Sequence, residues 1–89
     1  MKQITLTLSN LRGLHARAAT KLVETAKLYE STVQICFEER TADGKSIMSL
    51  LMLAAGPGSQ ILLITNGKDA AAALQAIQTL IENKFHEGE

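Results

Sequence analysis

Gly13-Leu14-His15-Ala16-Arg17-Ala18-Ala19 is the stretch around which the rest of the chain is arranged. Before it, residues 3–8 alternate. Ile4, Leu6 and Leu8 share one face and Gln3, Thr5 and Thr7 the other, the period-two pattern of a half-buried strand. After it the period changes. Ala19, Leu22, Val23 and Ala26 fall at i, i+3, i+4 and i+7, one face of a helix expected over about 16–28, with Lys21, Glu24 and Thr25 on the other side. Ser9-Asn10-Leu11-Arg12-Gly13 is then the connecting loop, and Gly13 allows the backbone to turn. His15 flanks the start of the helix, and Arg17 follows in its first turn.

Further out, Thr32 to Phe37 alternates again, with Val33, Ile35 and Phe37 on one face and Cys36 pointing away from them. Glu38-Glu39 can turn the chain and Arg40 to Asp43 can return as a short strand, without the Asn-Gly or Asp-Gly pair that most often marks a tight hairpin. Ser46 suits the N-cap of a short helix from Ile47 to about Leu53. Ile47, Met48, Leu50, Leu51, Met52 and Leu53 are all apolar, too many for one stripe. That helix is either fully covered or presents part of itself to a partner. A loop with Gly56-Pro57-Gly58 follows. Ile61-Leu62-Leu63-Ile64, inside the strand expected from Gln60 to Asn66, suits a central position in a sheet. Asn66-Gly67 turns the chain, and Asp69 is expected to cap a last helix with Ala73, Leu74, Ile77, Leu80 and Ile81 on its core face. Glu82 to Glu89 is expected to fray, and Tyr29 and Phe85 to pack. The order β-α-β-β-α-β-α, with helices on one face of a largely antiparallel sheet, is an α+β fold.

With 89 residues, residues 1–89 are expected to form one domain, and a hydrophobic content of 46% with two Phe, one Tyr and no Trp makes its core aliphatic. The formal net charge of +0 argues against a general nucleic-acid binder, which needs a basic excess. A single cysteine cannot close an internal disulfide, which fits a reducing cytoplasm. No signal-peptide apolar core and no bilayer-length apolar run are seen, so a cytoplasmic protein without membrane insertion is expected. The second histidine, His86, lies in the polar tail and Cys36 in a different strand, so no metal site and no cofactor are expected. A nucleophile elbow is also missing.

The chemistry legible at the opening stretch is phosphoryl transfer. A neutral imidazole is a nucleophile near neutral pH, its ordinary pKa being about 6.5. Phosphorylated, it bears about two negative charges. A helix start offers unpaired N–H groups, nearest those of Ala16 and Arg17, and roughly half a positive charge. Arg17 adds planar paired donors that match phosphate oxygens. Taken singly, each of these residues is ordinary: a surface histidine, a turn glycine, a surface arginine.

Together the residues resemble a family. Gly13-Leu14-His15-Ala16-Arg17-Ala18-Ala19 is similar to the phosphorylation motif of HPr, the histidine phosphocarrier of the bacterial phosphotransferase system, and Lys45-Ser46-Ile47-Met48 is similar to that family's seryl site. The resemblance spans the chain. It implies an open-faced β-sandwich, a four-stranded antiparallel sheet in order 1-4-2-3 with three helices on one face. It implies transfer from phosphoenolpyruvate through enzyme I to the δ1 nitrogen of His15, with Arg17 and the Ala16 amide supporting the phosphoryl group, and onward to an enzyme IIA domain. The protein would form a phosphohistidine intermediate in a transfer chain and would not turn over a small substrate itself. Thr20, Lys27, Ile47, Met48 and Leu51 match partner-docking positions, and Ser46 a site for HPr kinase/phosphorylase. A monomer is expected. Ala18 departs from the usual proline and Glu24 from a frequent basic residue. Asn10-Leu11-Arg12-Gly13, Leu50-Leu51-Met52-Leu53 and Gly58-Ser59-Gln60-Ile61 resemble NPr, the nitrogen-related branch, which is slightly favoured over sugar transport. The competing reading is a catalytically silent interaction domain whose His15 or Ser46 state controls partner binding.

Overall fold

The structure is a computed structural model and describes residues 1–86. In chain order the elements are β1 (Lys2–Thr7), α1 (Ala16–Ala26), β2 (Thr32–Phe37), β3 (Arg40–Asp43), α2 (Ile47–Met52), β4 (Gln60–Asn66) and α3 (Ala70–Glu82), with a short 3₁₀ turn at Lys84–His86. The four strands form one sheet in the order β1-β4-β2-β3, every neighbouring pair antiparallel. The expected fold class, strand order and number of α-helices are all present. No helix among the described residues is long and apolar enough to cross a membrane.

Alternation decides which face is covered. The register sets Leu6 opposite Ile61, Ile4 opposite Leu63, Ile35 opposite both Leu63 and Ala42, and Val33 opposite Thr65. Of these, all but Ile4 are buried, and Ile4 is half-buried against the core. The continuous run Ile61-Leu62-Leu63-Ile64 does occupy a central strand, β4, yet only its odd residues are fully buried. Leu62 and Ile64 lie with Gln3, Thr5, Gln34 and Cys36 on the other face. Helix α3 packs on β1 and β4, α2 on β3, and α1 on both α2 and α3. The helical stripe read from the sequence is the one buried: Ala19, Leu22, Val23 and Ala26 of α1, joined by Ala18.

Two expectations are corrected. Asp69 does stand at the N-cap position of α3, but its side chain makes no capping bond. Its carboxylate accepts instead from the backbone N–H groups of Glu30 (3.0 Å) and Ser31 (2.9 Å) and from the Ser31 hydroxyl. A local window reveals the capping position but not this partner loop between α1 and β2. The second correction concerns the tail. Glu82 ends α3, and Phe85 is fully buried, a packing residue as expected, so the chain is ordered well beyond the point where fraying is expected. Lys84, Phe85 and His86 have φ of 53, 56 and 59°, a left-handed turn that L-residues avoid. The buried ring and a 2.6 Å bond from Lys21 Nζ to the Phe85 carbonyl hold it. Residues 87–89 of the expected tail lie outside the described residues.

Phe85→Ala should therefore lower the unfolding free energy by about 3–5 kcal/mol, the usual cost of emptying a buried aromatic site, measured by urea unfolding. The Ser31 hydroxyl, then the Glu30 amide, hold the Asp69 carboxyl down to about 2 from the ordinary 3.8. A depressed carboxyl stabilises the fold fully above its unfolded value, and the contribution is lost as pH falls toward 2. Asp69→Ala should thus melt several degrees below the parent at pH 7, with the gap closing between pH 4 and pH 2. A gap independent of pH in circular-dichroism melts would contradict this.

Candidate functional site

The site begins with a backbone contact. Gly13 has φ +64°, and a Cβ there would lie 2.5 Å from the carbonyl carbon of Gly56 and 2.7 Å from the Ala55 oxygen. Both the conformation and the close approach require glycine. The next residue, Leu14, is buried, and its N–H donates to the Ala55 carbonyl at 2.9 Å. The loop after α2 thereby braces the loop that delivers His15.

His15 is the N-cap residue of α1, extended at φ −92° and ψ −179°, and its carbonyl accepts from Ala19 N at 2.8 Å. Its imidazole does not cap the helix. The ring turns back, and Nδ1 lies 3.1 Å from the Gly13 carbonyl. A carbonyl oxygen has no proton to give, so Nδ1 carries the hydrogen and donates it. The same oxygen accepts the His15 backbone N–H at 3.0 Å and the Asn10 side-chain amide at 2.7 Å. Ring atom Nε2 is almost entirely enclosed.

Ala16 and Arg17 are exposed, whereas Ala18 and Ala19 are buried and anchor the turn to the core. The first turn of α1 contains no acidic residue, so nothing within it neutralises the positive helix end. This is where the sequence set the reacting group. Thr20 lies one turn on, its hydroxyl donating to the Ala16 carbonyl at 2.8 Å. Lys27 does not join the cluster. It is the C-cap of α1, about 18 Å further along the axis at 1.5 Å per residue. Glu24 is exposed on the same helix.

Helix α2 runs back beside α1. Beyond the end of α1, the Tyr29 carbonyl accepts from Lys45 Nζ at 2.8 Å, at the start of α2. Ser46 caps α2 as expected, its Oγ accepting from Ser49 N at 3.3 Å. The helix is not fully covered. Leu50 and Leu53 are buried, but Met48 is 67% exposed, Met52 73% and Ile47 37%, with Leu51 in between. Met52 was not among the expected docking residues, although its position one turn after Met48 puts both on one face. Asn10 was not singled out either. It reads as an ordinary loop residue, and nothing local reveals that it is 1% exposed.

The chain matches the family model PTS-HPr, described as the PTS HPr component phosphorylation site, over residues 2–83. It is 46% identical to the phosphocarrier protein HPr of Cupriavidus necator over 89 residues, covering 100% of both chains. It is 45% identical to the phosphocarrier protein NPr of Shewanella violacea over 82 residues, 92% of this chain and 90% of the relative. Among solved structures, HPr from Thermoanaerobacter tengcongensis superposes with a TM-score of 0.94 at 36% identity, covering 98% of each chain.

Gly13→Ala should disrupt the site and the fold together. A left-handed non-glycine costs about 1–3 kcal/mol, and the backbone overlap with Gly56 adds to it. A fall in unfolding free energy of at least that size is expected in denaturant titration. A mutant as stable as its parent would show that the two loops do not touch in solution.

Proposed function

The chain belongs to the HPr family of phosphocarriers of the phosphotransferase system, and from that membership we propose that His15 is the residue that carries the phosphoryl group. Phosphorylated enzyme I, charged ultimately from phosphoenolpyruvate, is the donor in this reading and an enzyme IIA domain the acceptor. The observation that carries it is an imidazole at the start of a helix whose first turn holds an exposed arginine and no acid.

In the acceptance step the Nδ1 lone pair of His15 forms a bond to phosphorus while the donor's bond to phosphorus breaks, its electron pair leaving with the donor. Nδ1 needs that lone pair free. The Nδ1–H bond to the Gly13 carbonyl is therefore broken first: the proton passes from Nδ1 to water while Nε2 takes one from water, so the ring stays neutral with its single proton on Nε2. Arg17 and the amides of Ala16 and Arg17 then meet the phosphoryl oxygens. Transfer to the enzyme IIA domain reverses the same steps.

Ile47, Met48 and Leu51, with Thr20 and Lys27 on α1, form the docking surface in this reading. Methionine suits a surface that repacks against successive partners. Met52 extends the same exposed face. A phosphoryl group on Ser46, placed by HPr kinase/phosphorylase, would stand at a helix start and leave the fold intact, acting by charge on an acidic partner. The nitrogen-related branch is slightly favoured by the loop Asn10-Leu11-Arg12-Gly13 and by the apolar α2. Transfer to a sugar-type enzyme IIA and none to a nitrogen-type one would overturn that preference. The chemistry suits a monomeric protein of the cytoplasm, where phosphoenolpyruvate is made.

With phosphoenolpyruvate and enzyme I, intact-mass measurement should show a gain of one acid-labile phosphoryl group, absent from His15→Ala. Arg17→Ala should slow the transfer by roughly 10–100-fold, the loss of charge-assisted hydrogen bonds, with little change in melting. A stoichiometric adduct on His15→Ala would overturn the assignment.

A further inference from the structure

We propose that Asn10 is a positioning residue for phosphorylation of His15, acting through the Gly13 carbonyl that the imidazole must leave. The inference rests on the reading of His15 Nδ1 as the phosphoryl acceptor.

A carbonyl oxygen has two lone pairs. Three N–H groups point at that of Gly13: Asn10 Nδ2 at 2.7 Å, His15 N at 3.0 Å and His15 Nδ1 at 3.1 Å. The ring makes the longest of the three and shares an oxygen already engaged by two others, so its hold is the weakest. Asn10 thereby makes the release of Nδ1 less costly. It acts again once the ring has left. The carbonyl then retains two donors for its two lone pairs, and no buried acceptor is orphaned. Burial supports this role. A primary amide at 1% exposure is tolerated where it is hydrogen-bonded, and a residue needed only for a surface turn would stay in water.

Without Asn10 the ring would become one of two donors to Gly13. The Nδ1–H tautomer would gain, and the form with a free Nδ1 lone pair would become scarcer. One proton leaves Nδ1 for water and Nε2 takes one from water, so the ring's charge is unchanged and no other group is transferred.

The test reads tautomer and rate together. In Asn10→Ala, ¹⁵N shifts of the His15 ring should move toward the Nδ1–H form, and single-turnover phosphorylation by enzyme I should slow by roughly tenfold at unchanged KM for enzyme I. A slower rate with an unchanged tautomer ratio, accompanied by a lower melting temperature, would overturn the proposal in favour of a purely structural role. So would a wild-type rate. Should Asn10→Ala fail to fold, the unmodified protein decides. The Asn10 side-chain amide protons should stay protected from exchange before and after phosphorylation, and free exchange in the phosphorylated state would overturn the proposal. Wild-type protein that is not phosphorylated on His15 refutes the parent reading instead, so the two failures are distinguishable.

Discussion

The site depends on two stretches of backbone meeting with no side chain between them. Gly13, in a left-handed turn, lies against Gly56, and Leu14 is tied to Ala55 in the same loop. That contact fixes where the chain enters α1. It sets His15 in the extended conformation of an N-cap and turns its ring back onto the carbonyl it has just passed. The burial of Ala18, Ala19, Leu22, Val23 and Ala26 then holds the helix rigidly behind the ring. Because the second loop leaves α2, the same contact binds the half-exposed apolar helix to the start of α1.

The forces gathered at this helix start are modest. The dipole favours an anion by about 0.3–1 kcal/mol, up to about 2 when partly buried, and one exposed arginine adds charge-assisted hydrogen bonds. A phosphocarrier needs a site of this strength, since it must take up the group and also surrender it. The resting hydrogen bond from Nδ1 to Gly13 fits the same requirement. In the proposed mechanism it would occupy the accepting atom until a donor arrives, and as one of three bonds to a shared acceptor it would yield easily.

Much of this was legible in the sequence because it depends on near neighbours. Alternation in residues 3–8 and 32–37 locates β1 and β2, and the spacing of Ala19, Leu22, Val23 and Ala26 locates α1. Ser46 caps the helix it was expected to cap. What sequence did not reveal depends on distant partners. Asp69 occupies a cap position, but a loop far away in the chain claims its carboxylate. Phe85 was expected to pack, but the turn at Lys84–His86 that seats it is held by Lys21, 64 residues away in the chain. Asn10 is a loop residue by composition, yet it is buried with its side-chain amide on the Gly13 carbonyl. The apolar helix was readable as partly exposed, yet which methionines face outward was set by its docking on β3 and α1.

The proposed mechanism turns on one atom, Nδ1 of His15, exchanging a hydrogen bond to Gly13 for a bond to phosphorus. Phosphorus–nitrogen coupling in ¹⁵N and ³¹P spectra of the phosphorylated, ¹⁵N-labelled protein reports the site of that bond directly. Coupling at Nδ1, with the ring proton now on Nε2, is the expected result. Coupling at Nε2, or a phosphoryl group on a residue other than His15, would contradict it.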